Sequence, residues 1–259
     1  MDEKYFDDKD SSILHCIGGL ITFSTILPIK IYSSIEAMAR VTWLWPFING
    51  LIGLIGVGIV YLLSNTLHFS NLFVAVFVYG FFLVINGFNH LDGLLDFGDG
   101  LMVHGDPEKK LSVMKDVSLG AGAVGLMFIV GTLSVASFEM VLSYGLIWGI
   151  LVSEMSAKIG LTSCCISSKP ASKGIGAYFV KSMNLLNYVI SLIIALIIAF
   201  LLCDIVGVMG VLGGVFGGAF VALLGKKHLG VANGDVLGSS NELGRLFSLI
   251  FMLIALVLL

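Results

Sequence analysis

The chain has 259 residues, 58% of them hydrophobic and only 12% charged, with a mean hydropathy of +1.03. A soluble domain carries about 25% charged residues, so this composition excludes an ordinary water-soluble enzyme and describes a polytopic membrane protein. The net charge is −3, and no nucleic-acid-binding basic patch or dinucleotide-binding strand–glycine–helix fingerprint is present.

Abundant glycine (32) with scarce proline (4) is the balance of transmembrane helices whose backbones approach closely. Cys16, Cys164, Cys165 and Cys203 form no C-x-x-C pair and read as small buried residues in a reducing compartment. The fold expected is an all-α, polytopic helical bundle: three helical hairpins plus terminal segments, with six to eight transmembrane helices in one catalytic domain over 1–259.

In chain order, residues 1–12 form an acidic tail that lacks the basic start of a cleavable signal peptide. Segment 13–29, with Pro28, either spans, lies at the interface or re-enters. Apolar runs then predict spans at 43–63 and 72–88. A polar stretch, 89–120, follows. Further spans are predicted at 121–138, 140–157, 185–203 and 205–224, with polar stretches at 167–181 and 225–245. The last segment, 246–259, is about 21 Å long as a helix, short of the roughly 30 Å hydrocarbon core.

Apart from Lys4 and Lys9, every basic residue falls in or beside the stretches around 30–40, 109–115, 158–181 and 226–245. The intervening turns, 64–71, 139 and 203–204, have none. The positive-inside rule places the four basic stretches in the cytoplasm of a plasma-membrane protein. Ionisable residues are expected in these loops and not near the middle of any span.

The chemistry is expected in the loops. HLDGLLDFGDG (90–100) spaces Asp92, Asp96 and Asp99 at i, i+4 and i+7, within an arc of roughly 60° on a helix. Three carboxylates on one face repel unless a cation sits among them. Mg²⁺, which takes a few carboxylates together with substrate phosphates, is the expected cofactor. His90 or His104 is either a ligand or acid–base group, or an interfacial hydrogen-bonding histidine. Lys115-Asp116 precedes the Gly-rich start of a span, where a helix N-terminus suits phosphate. Lysines and glycines in 167–181 suit either an anionic diphosphate or anionic lipid headgroups. Asp235 and Glu242, i and i+7, are read as completing a metal or substrate site, with Asn233 and Asn241 nearby. The glycine-rich span 207–218 packs either within the chain or between chains of a homo-oligomer.

HLDGLLDFGDGL (90–101), DPEKKLSVMKD (106–116) and Gly120 together resemble the signature of the cobalamin synthase (adenosylcobinamide-GDP ribazoletransferase) family. ITFSTILP (21–28), RVTWLWPFINGLIGLIGVGI (40–59), KPASKGIGAYF (169–179) and NGDVLGSSNEL (233–243) extend the resemblance in order and spacing. The chain has Val117-Ser118 in place of the family's Ser-Arg, Asn233 in place of a threonine, and Lys173 in place of an arginine. Lysine meets phosphate as a point charge and not as a fork.

The resemblance implies a transferase that joins adenosylcobinamide-GDP to α-ribazole or its 5′-phosphate and releases GMP. Asp92, Asp96 and Asp99 would hold Mg²⁺ on the diphosphate. Asp99 or Asp116 would accept the hydroxyl proton, and Lys115 would grip phosphate. His90, Lys173, Asn233, Asp235 and Glu242 would bind substrate.

Two other transferase types fit less well. A CDP-alcohol phosphotransferase needs Ala-Arg where Leu95-Asp96 stands, and a UbiA-like prenyltransferase needs a second aspartate-rich motif. An ion or metabolite transporter would carry ionisable residues within its spans.

Overall fold

A computed structural model describes residues 12–258; the expected tail at 1–12 lies, apart from Ser12, outside them. Among the described residues the regular structure is helical, with one isolated bridge pairing Pro170 and Ala232.

Helix α1 (Ile13–Ser24) is N-capped by the Ser12 hydroxyl, which accepts from the His15 N–H. At 12 residues it is about 18 Å long, too short to cross alone, which removes the spanning alternative for segment 13–29. After α2 (Ile35–Arg40), α3 (Trp45–Val60) continues through a wider turn at Tyr61–Thr66. Helix α4 (Asn71–Ile85) ends where Gly87 and Phe88 take left-handed backbone angles (φ +61° and +58°), and the chain bends by 92° into α5 (Asn89–Met102). The polar stretch 89–120 is thus mostly helical, since α6 (Pro107–Val113), N-capped by Asp106, follows.

Helices α7 (Ala121–Ser143) and α8 (Gly149–Ser167) meet at Tyr144–Trp148, where Gly145 has φ +74°. The tight turn expected at 139 is therefore five residues too early, because the uninterrupted apolar run hides the break. After short α9 (Ile175–Ser182) comes α10 (Leu185–His228), which loses helical geometry at Cys203 and Asp204. A Cβ on Gly207 would collide with the Ala199 carbonyl. A continuous helix would hold those residues about 12 Å apart, so the chain doubles back there, as the turn at 203–204 predicts.

The last helix, α11 (Gly234–Leu258), has 25 residues, about 37 Å. It absorbs both the expected terminal segment and most of the expected loop 225–245. Five helices are long and apolar enough to cross a bilayer, or six with α4 and α5 taken together. The break in α10 adds a pass, so the total is six or seven, within the expected six to eight. The protein is a multi-pass membrane bundle.

Helix α8 is the axis of that bundle: every residue from Gly149 to Cys165 is buried, whereas α7 and α10 present Phe128 and Leu201 outward. Glycines set the spacing. Gly214 rests on the Ser156 carbonyl, Gly217 on the Leu243 carbonyl and Gly218 on Gly160. The small-residue stripe in 207–218 is consumed by packing within the chain, where it lets three backbones meet.

Glu154, Lys158 and Arg245 lie inside these helices and are all fully buried, correcting the expectation of ion-free spans. Arg245 Nε donates to Glu154 at 2.7 Å and Nη1 to Glu242 at 2.5 Å; Asn49 Nδ2 donates to Glu154 at 2.8 Å. Tyr79 OH donates to Glu242 at 3.3 Å. Such charges survive in a membrane interior only when paired. The basic residues that read as loop charges at 158 and 245 are thus part of the core.

Candidate active site

Helix α5 is held across one end of the bundle by two close backbone contacts. At Gly93, a Cβ would lie 2.8 Å from the Asp235 carbonyl, and Ser239 Oγ donates to the Gly93 carbonyl at 2.9 Å. At Gly98, a Cβ would lie 2.7 Å from the Gly122 carbonyl at the start of α7. The glycines interleaved with the aspartates therefore let α5 wedge between α11 and α7 and bring its acidic face against theirs. Lys110 is spent on the same job: its Nζ donates to the carbonyls of Gly100, Leu101 and Val103 and caps the end of α5.

The three aspartates of α5 have different surroundings. Asp92 is exposed and Asp96 half-buried. Burial, then the charges of Asp235, Asp92 and Asp99, push the Asp96 carboxyl up to about 7. Asp99 is buried; its Oδ2 accepts from the Gly120 N–H at 2.7 Å and its Oδ1 from the Ala123 N–H at 2.8 Å. Asp99 therefore caps the N-terminus of α7, where a carboxylate is stabilised by unpaired N–H groups and the helix dipole. The remaining acidic group, within electrostatic reach of one another, is Asp92 and Asp96 of α5 with Asp235 of α11.

Among the described residues no three His, Cys, Asp or Glu side chains stand close enough to hold an ion by themselves, the set Asp92, Asp96 and Asp99 included. What the structure offers a cation is hard carboxylate oxygen and an excess of negative charge, which is the chemistry Mg²⁺ takes when substrate phosphates and water complete its shell.

Around these carboxylates, Asn233 caps α11 through Oδ1 and donates Nδ2 to Asp235 at 2.7 Å, orienting it. Lys115 is exposed and within electrostatic reach of Asp235. Asp116, also exposed, accepts from the Ser118 N–H at 3.0 Å, and this contact lowers its carboxyl below the ordinary value. Asp99 and Asp116 share a second cavity at the α7 N-terminus. Lys173 is exposed in the stretch before α9, which is tied to the site where Ala171 N–H donates to the Ala232 carbonyl and Ala232 N–H to the Lys169 carbonyl. His104 is exposed on the turn between α5 and α6.

Glu242 does not join this group. It lies about 10 Å further along α11 than Asp235 and is ion-paired with Arg245 in the core. The i, i+7 spacing gives a shared face but not a shared depth, so Glu242 supports the bundle and does not bind substrate at the opening.

His90 is brought in, but from the inside. It is buried, and Lys158 Nζ donates to its Nε2 at 2.8 Å. Beside it is a cavity of about 290 Å³ walled by Phe23, Trp45 and Phe179 and reaching Asp235. The sequence reading missed Lys158 and these aromatics. The i, i+4 pair Glu154 and Lys158 in an apolar run was the available signal for the former; nothing local marks the latter.

The family model for cobalamin-5-phosphate synthase matches residues 17–253. The chain is 30% identical over 237 residues to an adenosylcobinamide-GDP ribazoletransferase of Pyrococcus abyssi, covering 90% of this chain and 95% of that one. A protein of the same name from Methanosarcina mazei is 28% identical over 255 residues, covering 91% and 90%. Another, from Saccharolobus islandicus, is 34% identical over 163 residues, covering 62% and 63%. No solved structure matches the chain.

Proposed function

Because the chain belongs to the cobalamin-5-phosphate synthase family of transferases, we propose that it joins adenosylcobinamide-GDP to α-ribazole or its 5′-phosphate. A ribose hydroxyl of the nucleoside attacks the cobinamide-bound phosphorus, the bond from that phosphorus to the bridging oxygen breaks, and GMP leaves. The product is adenosylcobalamin or its 5′-phosphate. The observation that carries this reading is that Asp92, Asp96 and Lys115 lie within electrostatic reach of one another or of Asp235, which also lines an aromatic cavity.

Asp96, with a proton affinity near neutrality, is suited to take the hydroxyl proton. Asp99, held by two backbone N–H groups, serves instead to fix α7 against α5. Asp92 and Asp235 would hold Mg²⁺, which supplies charge neutralisation on the diphosphate. Lys115 and Lys173, both exposed, would meet phosphate oxygens as point charges. The exposed lysines at 30, 109, 115, 169, 173, 181, 226 and 227 support a cytoplasmic mouth in the plasma membrane, with anionic headgroups around it.

Purified protein in bilayer nanodiscs, given Mg²⁺, adenosylcobinamide-GDP and α-ribazole, is expected to release GMP. Absence of GMP from protein with a cooperative thermal transition overturns the reading. Asp92→Asn is expected to lower turnover by roughly 100-fold or more with the melting curve retained; near-normal turnover removes Asp92 from the site.

A further inference from the structure

The cavity beside His90 has a chemical character of its own. Its walls are aromatic: the Trp45 and Phe179 rings are 5.1 Å apart and the Phe23 and Phe179 rings 5.5 Å apart. At about 290 Å³ it admits a bicyclic planar base and is far too small for a corrin ring. Gly176 and Gly234 contribute backbone to the lining, and Leu161, Ile175 and Leu237 complete its apolar surface.

Two buried ring nitrogens of its lining residues are unspent, His90 Nδ1 and Trp45 Nε1. With Lys158 carried as an ammonium beside the buried Glu154 and Glu242 carboxylates, it has only hydrogens to offer; His90 Nε2 then accepts from it and the ring proton is on Nδ1. His90 Nδ1 is buried with no partner among the described residues. A buried N–H without a partner costs free energy until a ligand satisfies it. Asp235 belongs both to this cavity and to the carboxylate group at the mouth, so a base seated inside would carry its sugar toward the carboxylates.

Resting on the function proposed above, we infer that this cavity seats the benzimidazole base of the ribazole substrate, with His90 Nδ1–H donating to its unsubstituted ring nitrogen. The base is apolar in outline and presents that one acceptor, matching aromatic walls and the buried His90 donor. Guanine carries two adjacent donor groups, N1–H and the 2-amino group. The only carboxylate in the lining, Asp235, already accepts from Asn233 and lies among like charges. Lys158 is a positioning residue: it fixes the His90 tautomer from behind and touches no substrate.

The test compares α-ribazole with its indole counterpart, in which the free ring nitrogen is replaced by C–H. Both are offered to the wild-type protein in nanodiscs, by equilibrium dialysis and, with adenosylcobinamide-GDP, by steady-state GMP release. Loss of one hydrogen bond to a buried donor is expected to weaken the indole nucleoside roughly tenfold in Kd and KM. His90→Leu is expected to erase that preference. Phe23→Ala, at a half-exposed wall position tolerant of substitution, is expected to raise KM for α-ribazole severalfold while KM for adenosylcobinamide-GDP stays unchanged.

Equal Kd and KM values for the two nucleosides in the wild type overturn the inference, even if GMP is released and the function stands. A Phe23→Ala effect that falls on adenosylcobinamide-GDP instead also overturns it, since the cavity then holds that substrate. If folded protein releases no GMP, the function fails, and the dialysis comparison still decides the inference by the same preference.

Discussion

Glu154, Glu242, Arg245 and Lys158 lie in the middle of the bundle and their charges cancel, whereas Asp92, Asp96 and Asp235 at its mouth all carry the same sign. In the first region each charge has a partner: Arg245 bridges two carboxylates, Asn49 and Tyr79 add hydrogen bonds to them, and Lys158 finds His90. In the second, the cation within electrostatic reach of Asp235 among the described residues is Lys115, on an exposed turn. Charge that is compensated inside the chain holds helices together. Burial first, and then charge left uncompensated, raises the proton affinity of Asp96, and that charge is relieved by a proton or a cation. Asp99 belongs with the first group although its spacing places it with the second, because helix N-terminal N–H groups do for it what Arg245 does for Glu154.

The comparison breaks most visibly at Arg245. Arg245→Met leaves Glu154 and Glu242 buried without their cation, which costs about 3–5 kcal/mol. A large fall in the melting temperature in detergent is expected, or loss of the cooperative transition. The double change Arg245→Met with Glu154→Gln is expected to recover part of that loss. If Arg245→Met melts like the wild type, the paired core is not what holds α8 to α11.

Much of this was legible in the sequence and some was not, for identifiable reasons. The acidic run at 90–100, its glycines and the turn at 203–204 stand out because polar residues interrupt apolar stretches there. The extent of α11 did not stand out. Arg245 and Glu242 look like loop residues until their partners, Glu154 and Tyr79, are supplied by helices 91 and 163 residues away. The same long-range pairing hid Glu154 and Lys158 and removed the main composition-based argument against a transporter; membership of the family supplies the better one. Helical periodicity placed Asp92, Asp96 and Asp99 on one face, but it carries no information on what each carboxylate meets. The N–H groups of Gly120 and Ala123 meet Asp99 only because Gly98 lets α7 come so close.

A smaller effect sharpens the assignment of Asp99. Asp99→Ala removes both acceptors from the α7 N-terminus and is expected to cost about 1–2 kcal/mol, with Asp99→Asn recovering part of it. The check is the thermal transition measured together with turnover. A loss of turnover with an unmoved transition would instead make Asp99 a member of the site.

The smallest expected shift is the most direct test of the uncompensated mouth. The native Asp96 carboxyl titrates at about 7, while in the unfolded chain it titrates near 4. Between those values the native state holds more protons, so its stability falls as pH rises through that window. Asp96→Asn removes the repelling charge. The decisive measurement is the melting temperature of metal-free wild type and Asp96→Asn as a function of pH. After allowing for solvent screening of a partly exposed group, the variant is expected to melt roughly 2 °C above the wild type at pH 8, and the difference should close by pH 4–5. A variant that melts below the wild type across the whole range would show Asp96 to be a compensated structural charge and contradict the account.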